Sequence, residues 1–165
     1  MSLADHPYRF VCNGGAFFRE NGNIFARLEN AVIERVYAVW DCMDETWFDD
    51  APMLVKTSAG MLSVLVKSGT DIAIGWNDLS LSEKPVWLDE TDAGMIEEPG
   101  WTEDLEWREY RAVSGICKER IRGIRFHADG DGGDPGVGIG LACGSGKCLW
   151  IYDAGDVIAA RVTEP

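Results

Sequence analysis

The chain has 165 residues, a mass of 18.2 kDa, a formal net charge of −13 at pH 7 and a sequence pI near 4.4. This length can bury a hydrophobic core of its own, so we predict a single domain over residues 1–165. The acidic balance argues against nucleic acid and anionic membranes as partners, and it favours a basic protein partner.

The N-terminus and the cysteines indicate a cytoplasmic protein. No apolar run approaches the roughly 20 residues of a membrane span, and "MSLADHPYRF" lacks the basic and apolar regions of a signal peptide. The five cysteines match no zinc or redox motif, so we expect them to be reduced and predict no cofactor. Cys143 and Cys148 flank a short turn and could face each other across a hairpin.

The first predicted elements are short β-strands. Asn13-Gly14 and Asn21-Gly22 separate "YRFVC", "AFFRE" and "NIFARLEN". Asn-Gly between apolar runs is typical of hairpin turns, so we predict an N-terminal β-meander. Further strands are predicted at 33–41, 52–58, 61–69 and 71–78, and none of these segments has a long 3.6-residue period. The expected fold class is all-β and mainly antiparallel.

The strand pattern recurs in the second half of the chain. A shift of 86 residues places Gly60 on Gly146, and a shift of 88 places Val36 on Ile124. We therefore predict a duplicated β-rich repeat, approximately 24–78 and 110–162, forming one sandwich or partly open barrel. Equivalent strands should place equivalent alternate residues on the same face. The 86-residue shift matches Leu62, Val64 and Val66 with Cys148, Trp150 and Tyr152.

The segment that joins the repeats, 79–109, is acidic and contains tryptophans. Between Asp78 and Tyr110 there are eleven acidic residues against two basic ones, a balance of −9. "TEDLEWREY" predicts one short helix with Thr102 as its N-cap. The segment could be a solvated connector, or it could be a binding surface of aromatic anchors rimmed by carboxylates. The candidate partner-binding residues are Trp87, Glu97, Glu98, Trp101, Glu103, Asp104 and Trp107.

The stretch "LACGSGKCLW", residues 141 to 150, only partly resembles a phosphate-binding loop. The first glycine of that motif is replaced by Leu141, and Cys148 stands where a magnesium-binding hydroxyl is required. The residues that follow alternate and are rich in β-branched and aromatic types, which is typical of a strand. We therefore predict a hairpin turn here and no nucleotide site.

The loop "HADGDGGDPG", residues 127 to 136, contains weak candidates for calcium ligands. Their spacing does not fit an EF-hand, and Asp and Gly are ordinary residues of loops between strands. A plain loop is therefore favoured over a metal site. The three candidate carboxylates are Asp129, Asp131 and Asp134.

Three function classes remain open. The first is a non-enzymatic interaction module of the inhibitor or immunity type, whose acidic surface caps a basic partner. The second is a carboxylate-based hydrolase with a cleft between the repeats, although no pair of carboxylates is singled out and His6 and His127 have no neighbours that build a catalytic pair. The third is a β module that binds a small ligand or calcium. The first class is the one that we favour, so an enzyme is the less expected outcome.

Overall fold

The computed structural model describes residues 7–67, 71–86, 104–128, 136–155 and 157–165. Over these ranges the chain is mainly antiparallel β, arranged in two sheets with three short helices, and neither sheet closes into a barrel. The predicted fold class is confirmed, and the arrangement is consistent with a β-sandwich.

The elements follow one another in two similar series. The first comprises α1 (Gly14–Glu20), α2 (Gly22–Leu28), β1 (Ile33–Asp41), β2 (Thr46–Trp47), β3 (Met53–Thr57), β4 (Gly60–Lys67) and β5 (Asp71–Trp76). After β6 (Leu105–Glu109), the second comprises a 3₁₀ helix (Arg111–Ile116), β7 (Ile121–His127), β8 (Gly138–Cys143), β9 (Cys148–Asp153) and β10 (Ile158–Thr163). The strands predicted at 33–41, 52–58, 61–69 and 71–78 are therefore confirmed to within a few residues.

The predicted N-terminal β-meander is wrong, because two helices occupy this region. The side chain of Asn13 accepts a hydrogen bond from the backbone N–H of Ala16 at 2.8 Å and caps α1. Asn21 ends α1 and begins α2. Asn favours helix caps as well as hairpin turns, so its position alone could not separate the two structures. Phe17 and Leu28, one from each helix, are fully buried.

The helix predicted in the acidic segment is also wrong. Leu105–Glu109 is strand β6, which pairs with β1 from Tyr37 to Asp41. The described residues of 79–109 contain no helix, while Thr102 lies outside the described residues. Pairing with β1 satisfies the backbone of this segment and buries Leu105, which offsets the helix preference of its Glu and Leu residues.

The two sheets pack face to face around one hydrophobic core. The first sheet has the order β2-β1-β3-β4-β5, and β6 pairs with β1 as well. The second sheet has the order β7-β8-β9-β10. Buried side chains from both sheets form one cluster, with Phe17 of α1 and Leu28 of α2 beside them. Each sheet therefore has an inner face on this core and an outer face that points away from it.

The pairing registers of the two sheets correspond residue by residue. In the first sheet, Ile33 pairs with Thr57 and the register then shifts at Arg35. In the second sheet, Ile121 pairs with Cys143 and the register shifts at Gly123. These residues follow Ile33, Thr57 and Arg35 by 88, 86 and 88 positions, which are the shifts found in the sequence. Even the bulge occurs at the same place in both sheets.

The junction between the sheets has local two-fold symmetry. Val32 forms an antiparallel bridge with Arg120. Arg120 lies 88 positions further along the chain, so it is the residue of the second half that corresponds to Val32. Each neighbouring backbone hydrogen bond has an equivalent in which the two halves of the chain exchange roles. Ile33 N donates to Glu119 O and Ile121 N donates to Ala31 O, both at 2.9 Å. Likewise, Asn30 N donates to Ile121 O at 3.0 Å and Lys118 N donates to Ile33 O at 2.7 Å. Asn30 and Lys118 both have left-handed φ values, 64° and 72°. Because two equivalent residues pair antiparallel here, a local two-fold axis passes between them and relates the two halves at this junction.

One detail of the predicted repeat is wrong by a single residue. The core-facing side chains of β9 are Leu149 and Ile151, which correspond to Leu62 and Val64 of β4 at a shift of 87. The alternate residues Cys148, Trp150 and Tyr152 therefore lie on the outer face. The extra residue lies in the "CGSGK" hairpin, where Cys143 N bonds to Lys147 O at 2.8 Å. The equivalent β3–β4 turn pairs Thr57 with Gly60.

The same hairpin separates the two cysteines that could have faced each other. Cys143 belongs to the core, whereas the sulfur of Cys148 lies against Gly140 on the outer face. Both thiols are free, as are those of Cys12, Cys42 and Cys117. The predicted hairpin turn itself is confirmed by the pairing of β8 with β9.

Candidate protein-interaction surface

Strand β6 brings the end of the acidic segment beside the β1–β2 hairpin. Asp41 pairs with Leu105, and the backbone N–H of Cys42 donates to the carbonyl of Asp104 at 2.8 Å. An acidic turn of the first half and the predicted site residue Asp104 thereby become neighbours. We call the resulting surface the acidic face. It comprises Met43, Asp44, Glu45, Asp104 and Glu106.

The hairpin is shaped by a buried carboxylate. Asp41 is 7% exposed, and its Oδ1 accepts hydrogen bonds from the backbone N–H groups of Met43 at 2.8 Å and Asp44 at 3.1 Å. Glu45 has a left-handed φ of 51°, which reverses the chain toward β2. This turn leaves Met43 69% exposed, the largest exposure among the large hydrophobic side chains of the described residues.

The pKa values near the hairpin report a negative local field. Restricted solvation raises the pKa of the Cys42 thiol, and the carboxylates of Glu106 and Asp104 raise it further. The hydrogen bond and the charge of Asp104 raise the pKa of Lys84. Nearby negative charge favours a protonated amine at Lys84, and at Cys42 it adds to the larger effect of desolvation in favouring a protonated thiol.

The charges of the acidic face are only partly neutralised. Asp104 forms an ion pair with Lys84 at 2.5 Å, and Glu106 forms one with Arg108. Within the part of the chain that the structure describes, Asp44 and Glu45 have no such partner. The uncompensated charge is therefore concentrated at the tip of the hairpin, where both side chains are exposed.

Aromatic rings border the acidic face. Trp40 and Trp47 pack edge to face with their centroids 5.0 Å apart, and Trp47 makes a similar contact with Tyr110 at 5.0 Å. The guanidinium of Arg108 lies 4.6 Å from the Trp40 ring centroid. These rings are half-buried, so they hold fixed positions and keep some apolar area accessible.

Trp107 is held by packing on the outer face of the first sheet. It lies half-buried against a small apolar cluster made of Val39, Ala51 and Leu105. Its remaining surface lines an open groove of about 360 Å³ between residues 81–85 and 104–107. Trp107 therefore stabilises the fold and also contributes to a surface groove.

The other predicted site residues lie outside the described residues. These are Trp87, Glu97, Glu98, Trp101 and Glu103 of the acidic segment, with the calcium candidates Asp129, Asp131 and Asp134. In the ranges that are described, no group of three or more His, Cys, Asp or Glu side chains is arranged to hold a metal ion. Over the same ranges, no helix has the length and apolar character needed to cross a membrane.

Comparison with known proteins supplies no assignment. No protein-family model, no curated protein and no solved structure matches this chain. The hairpin residues Met43, Asp44 and Glu45 were not among the predicted site residues. Their signal is the short polar turn between two tryptophan-containing strands, but only the pairing of β6 with β1 shows that this turn adjoins Asp104.

Proposed function

We propose that this protein is a non-enzymatic interaction module that binds a basic protein partner through the acidic face. The observation that carries the proposal is the meeting of two acidic segments, distant in sequence, around an exposed methionine. Asp44 and Glu45 supply charge that no described cation neutralises. Such a field accelerates the encounter with a positively charged surface.

Affinity requires desolvated apolar contact in addition to charge. Met43 is exposed and flexible, and methionine adapts readily to irregular partner surfaces. The half-buried Trp40 and Trp47 add rigid aromatic area beside it. The acidic face thus combines an apolar centre with a charged rim, which is the usual anatomy of a protein interface.

The test compares two variants that lose the same charge. Asp44→Asn/Glu45→Gln/Asp104→Asn neutralises three carboxylates of the acidic face. Glu20→Gln/Glu29→Gln/Glu34→Gln neutralises three carboxylates elsewhere. The partner is captured from an extract of the producing cells, purified, and its association rate is measured over a series of salt concentrations.

We expect the acidic-face variant to associate at least about tenfold more slowly and with a weaker salt dependence, because electrostatic steering is lost. The control variant should keep both properties within about twofold, since like charges far from the interface are screened. Melting curves establish that both variants are folded. Equal rates and salt slopes for the two folded variants would contradict the proposal.

A further inference from the structure

A second surface lies on the outer face of the second sheet. Arg125 pairs with Gly140, Gly140 with Trp150, and Trp150 with Arg161, so these four residues form one row across the four strands. Their neighbours along the strands point into the core: Ile124, Phe126, Ile139, Leu141, Leu149, Ile151, Ala160 and Val162. The row therefore points away from the core.

Glycines allow the aromatic side chains of this face, Trp150 and Tyr152, to lie against the sheet. A Cβ on Gly140 would be 2.9 Å from Cζ3 of the Trp150 ring, and a Cβ on Gly138 would be 2.7 Å from the Cβ of Tyr152. Trp150 thus rests on the backbone of β8 and remains half-buried. The guanidinium of Arg161 lies 5.1 Å from the Tyr152 ring centroid. The result is a fixed aromatic platform beside a positive charge.

Neither arginine of the row forms an ion pair with a carboxylate of the described residues. Six other cationic side chains form ion pairs with carboxylates: Arg9, Arg35, Lys56, Lys84, Arg108 and Lys147. Among the described residues, Arg125 and Arg161 form none, although the chain carries a net charge of −13. Asp153 is the one carboxylate that belongs to the strands β7, β8, β9 and β10 themselves, and it is buried on the same side of β9 as the core-facing Leu149 and Ile151. Over the described residues of the four strands, the outer face therefore carries positive charge in an acidic protein.

The equivalent face of the first sheet is covered by the chain itself. Ser63, the counterpart of Trp150, is fully buried and donates its hydroxyl to the carboxylate of Asp78 at 2.9 and 3.1 Å. That carboxylate also lies against Gly75, the counterpart of Arg161, because a Cβ there would be 1.7 Å from Asp78 Oδ2. The first sheet thus docks a carboxylate from its own chain where the second sheet presents a guanidinium.

We propose that the outer face of the second sheet binds an acidic peptide segment of a partner protein. Carboxylates of the segment pair with Arg125 and Arg161, and an apolar side chain between them packs on Trp150. Three strand spacings separate the two arginines, about 14 Å. Two carboxylates four residues apart in an extended segment span about 13 Å, so one short peptide that crosses the strands reaches both. This surface is separate from the acidic face and does not depend on its function.

The probe is a dye-labelled extended peptide with two glutamates four residues apart and a leucine midway. Its binding is measured by fluorescence anisotropy at about 0.15 M salt, where only charges within about 8 Å contribute strongly. Arg125→Gln/Arg161→Gln removes the two guanidiniums. Arg19→Gln/Arg27→Gln is the matched control, because it removes two exposed arginines from α1 and α2.

We expect saturable binding to the unmodified protein, a loss of affinity of at least about tenfold in Arg125→Gln/Arg161→Gln, and a change within about twofold in the control. The same peptide with glutamines for glutamates should bind at least about tenfold more weakly. Equal affinity of the two variants, the absence of saturable binding, or tighter binding of an oligothymidylate than of the peptide would each overturn the proposal. All four substituted arginines are exposed, so circular dichroism should show unchanged folding.

Discussion

Replacing Asp41 tests whether the acidic face owes its shape to one buried carboxylate. Asp41→Ala removes the oxygen that accepts hydrogen bonds from the backbone N–H groups of Met43 and Asp44. Hydrogen bonds to a charged group contribute about 1.5–3 kcal/mol each, but these N–H groups can turn to water in an exposed hairpin, so we expect a net loss of about 2 kcal/mol. For a domain of this size that loss lowers the melting temperature by about 4–8 °C.

Asp41→Asn is the matched control, because its amide oxygen can accept the same hydrogen bonds while the charge is removed. We expect it to cost at most about 1 kcal/mol, a melting-temperature decrease of about 2–4 °C. Thermal unfolding followed by circular dichroism measures both variants, and limited proteolysis at Met43 reports the order of the turn. If Asp41→Ala has the same melting temperature as the unmodified protein, and its turn is cleaved at the same rate, the carboxylate does not hold the hairpin.

Three further outcomes are expected from urea unfolding. Gly75→Ala should destabilise the protein by about 2–4 kcal/mol because its Cβ collides with the carboxylate docked on the first sheet, whereas Gly115→Ala, with no atom within 4 Å, should change stability by less than about 1 kcal/mol. Leu28→Ala in α2 and Ile116→Ala in the 3₁₀ helix remove fully buried side chains that lie 88 positions apart, so each should cost about 2–5 kcal/mol, and a near-neutral result at either position would argue against its burial in the core. Burial raises the pKa of the Cys143 thiol from 9.0 to about 11, so the thiol loses its proton at a lower pH in the unfolded state than in the folded state. The unfolding free energy should therefore fall as the pH rises from 9 to 11, and it should fall less steeply in Cys143→Ala.

The strands were predictable because their residue types favour β structure. Ile33–Asp41 and Met53–Thr57 carry β-branched and aromatic residues between charged turns, and tertiary packing agrees with this local preference. The N-terminal helices were missed because their sequence contains two Asn-Gly pairs. Gly15 and the aromatic Phe17 and Phe18 also have modest helix propensity, so the helices depend on burial against the core rather than on local preference.

Of the candidate site, the sequence revealed its charge but not its assembly. Asp104 and Glu106 were recognisable as part of an acidic, tryptophan-containing segment. Their position beside the β1–β2 hairpin depends on β6 joining β1, a pairing between residues more than 60 positions apart. No local pattern records such a long-range contact, and the helix preference of "TEDLEWREY" suggests the opposite structure.

The residues on the outer face of the second sheet could not be identified without knowing the pairing register of β8 and β9. Glycine-anchored alignment of the two halves placed Trp150 on the same face as Val64, because the turn before Trp150 is one residue longer than its counterpart. Since side chains alternate along a strand, one added residue exchanges the two faces. The structure places the additional residue in the turn that ends at Lys147, so Leu149 and Ile151 face the core while Trp150 lies on the outer face.

A Gly146 deletion that restores the shorter turn should therefore not bury Trp150, because the pairing of Gly140 with Trp150 is set by the apolar residues on either side of Trp150. Quenching of the Trp150 fluorescence by acrylamide, measured against a Trp150→Phe variant, should be the same with either turn. Loss of that quenching in the shortened turn would mean that turn length, and not the core, determines the register.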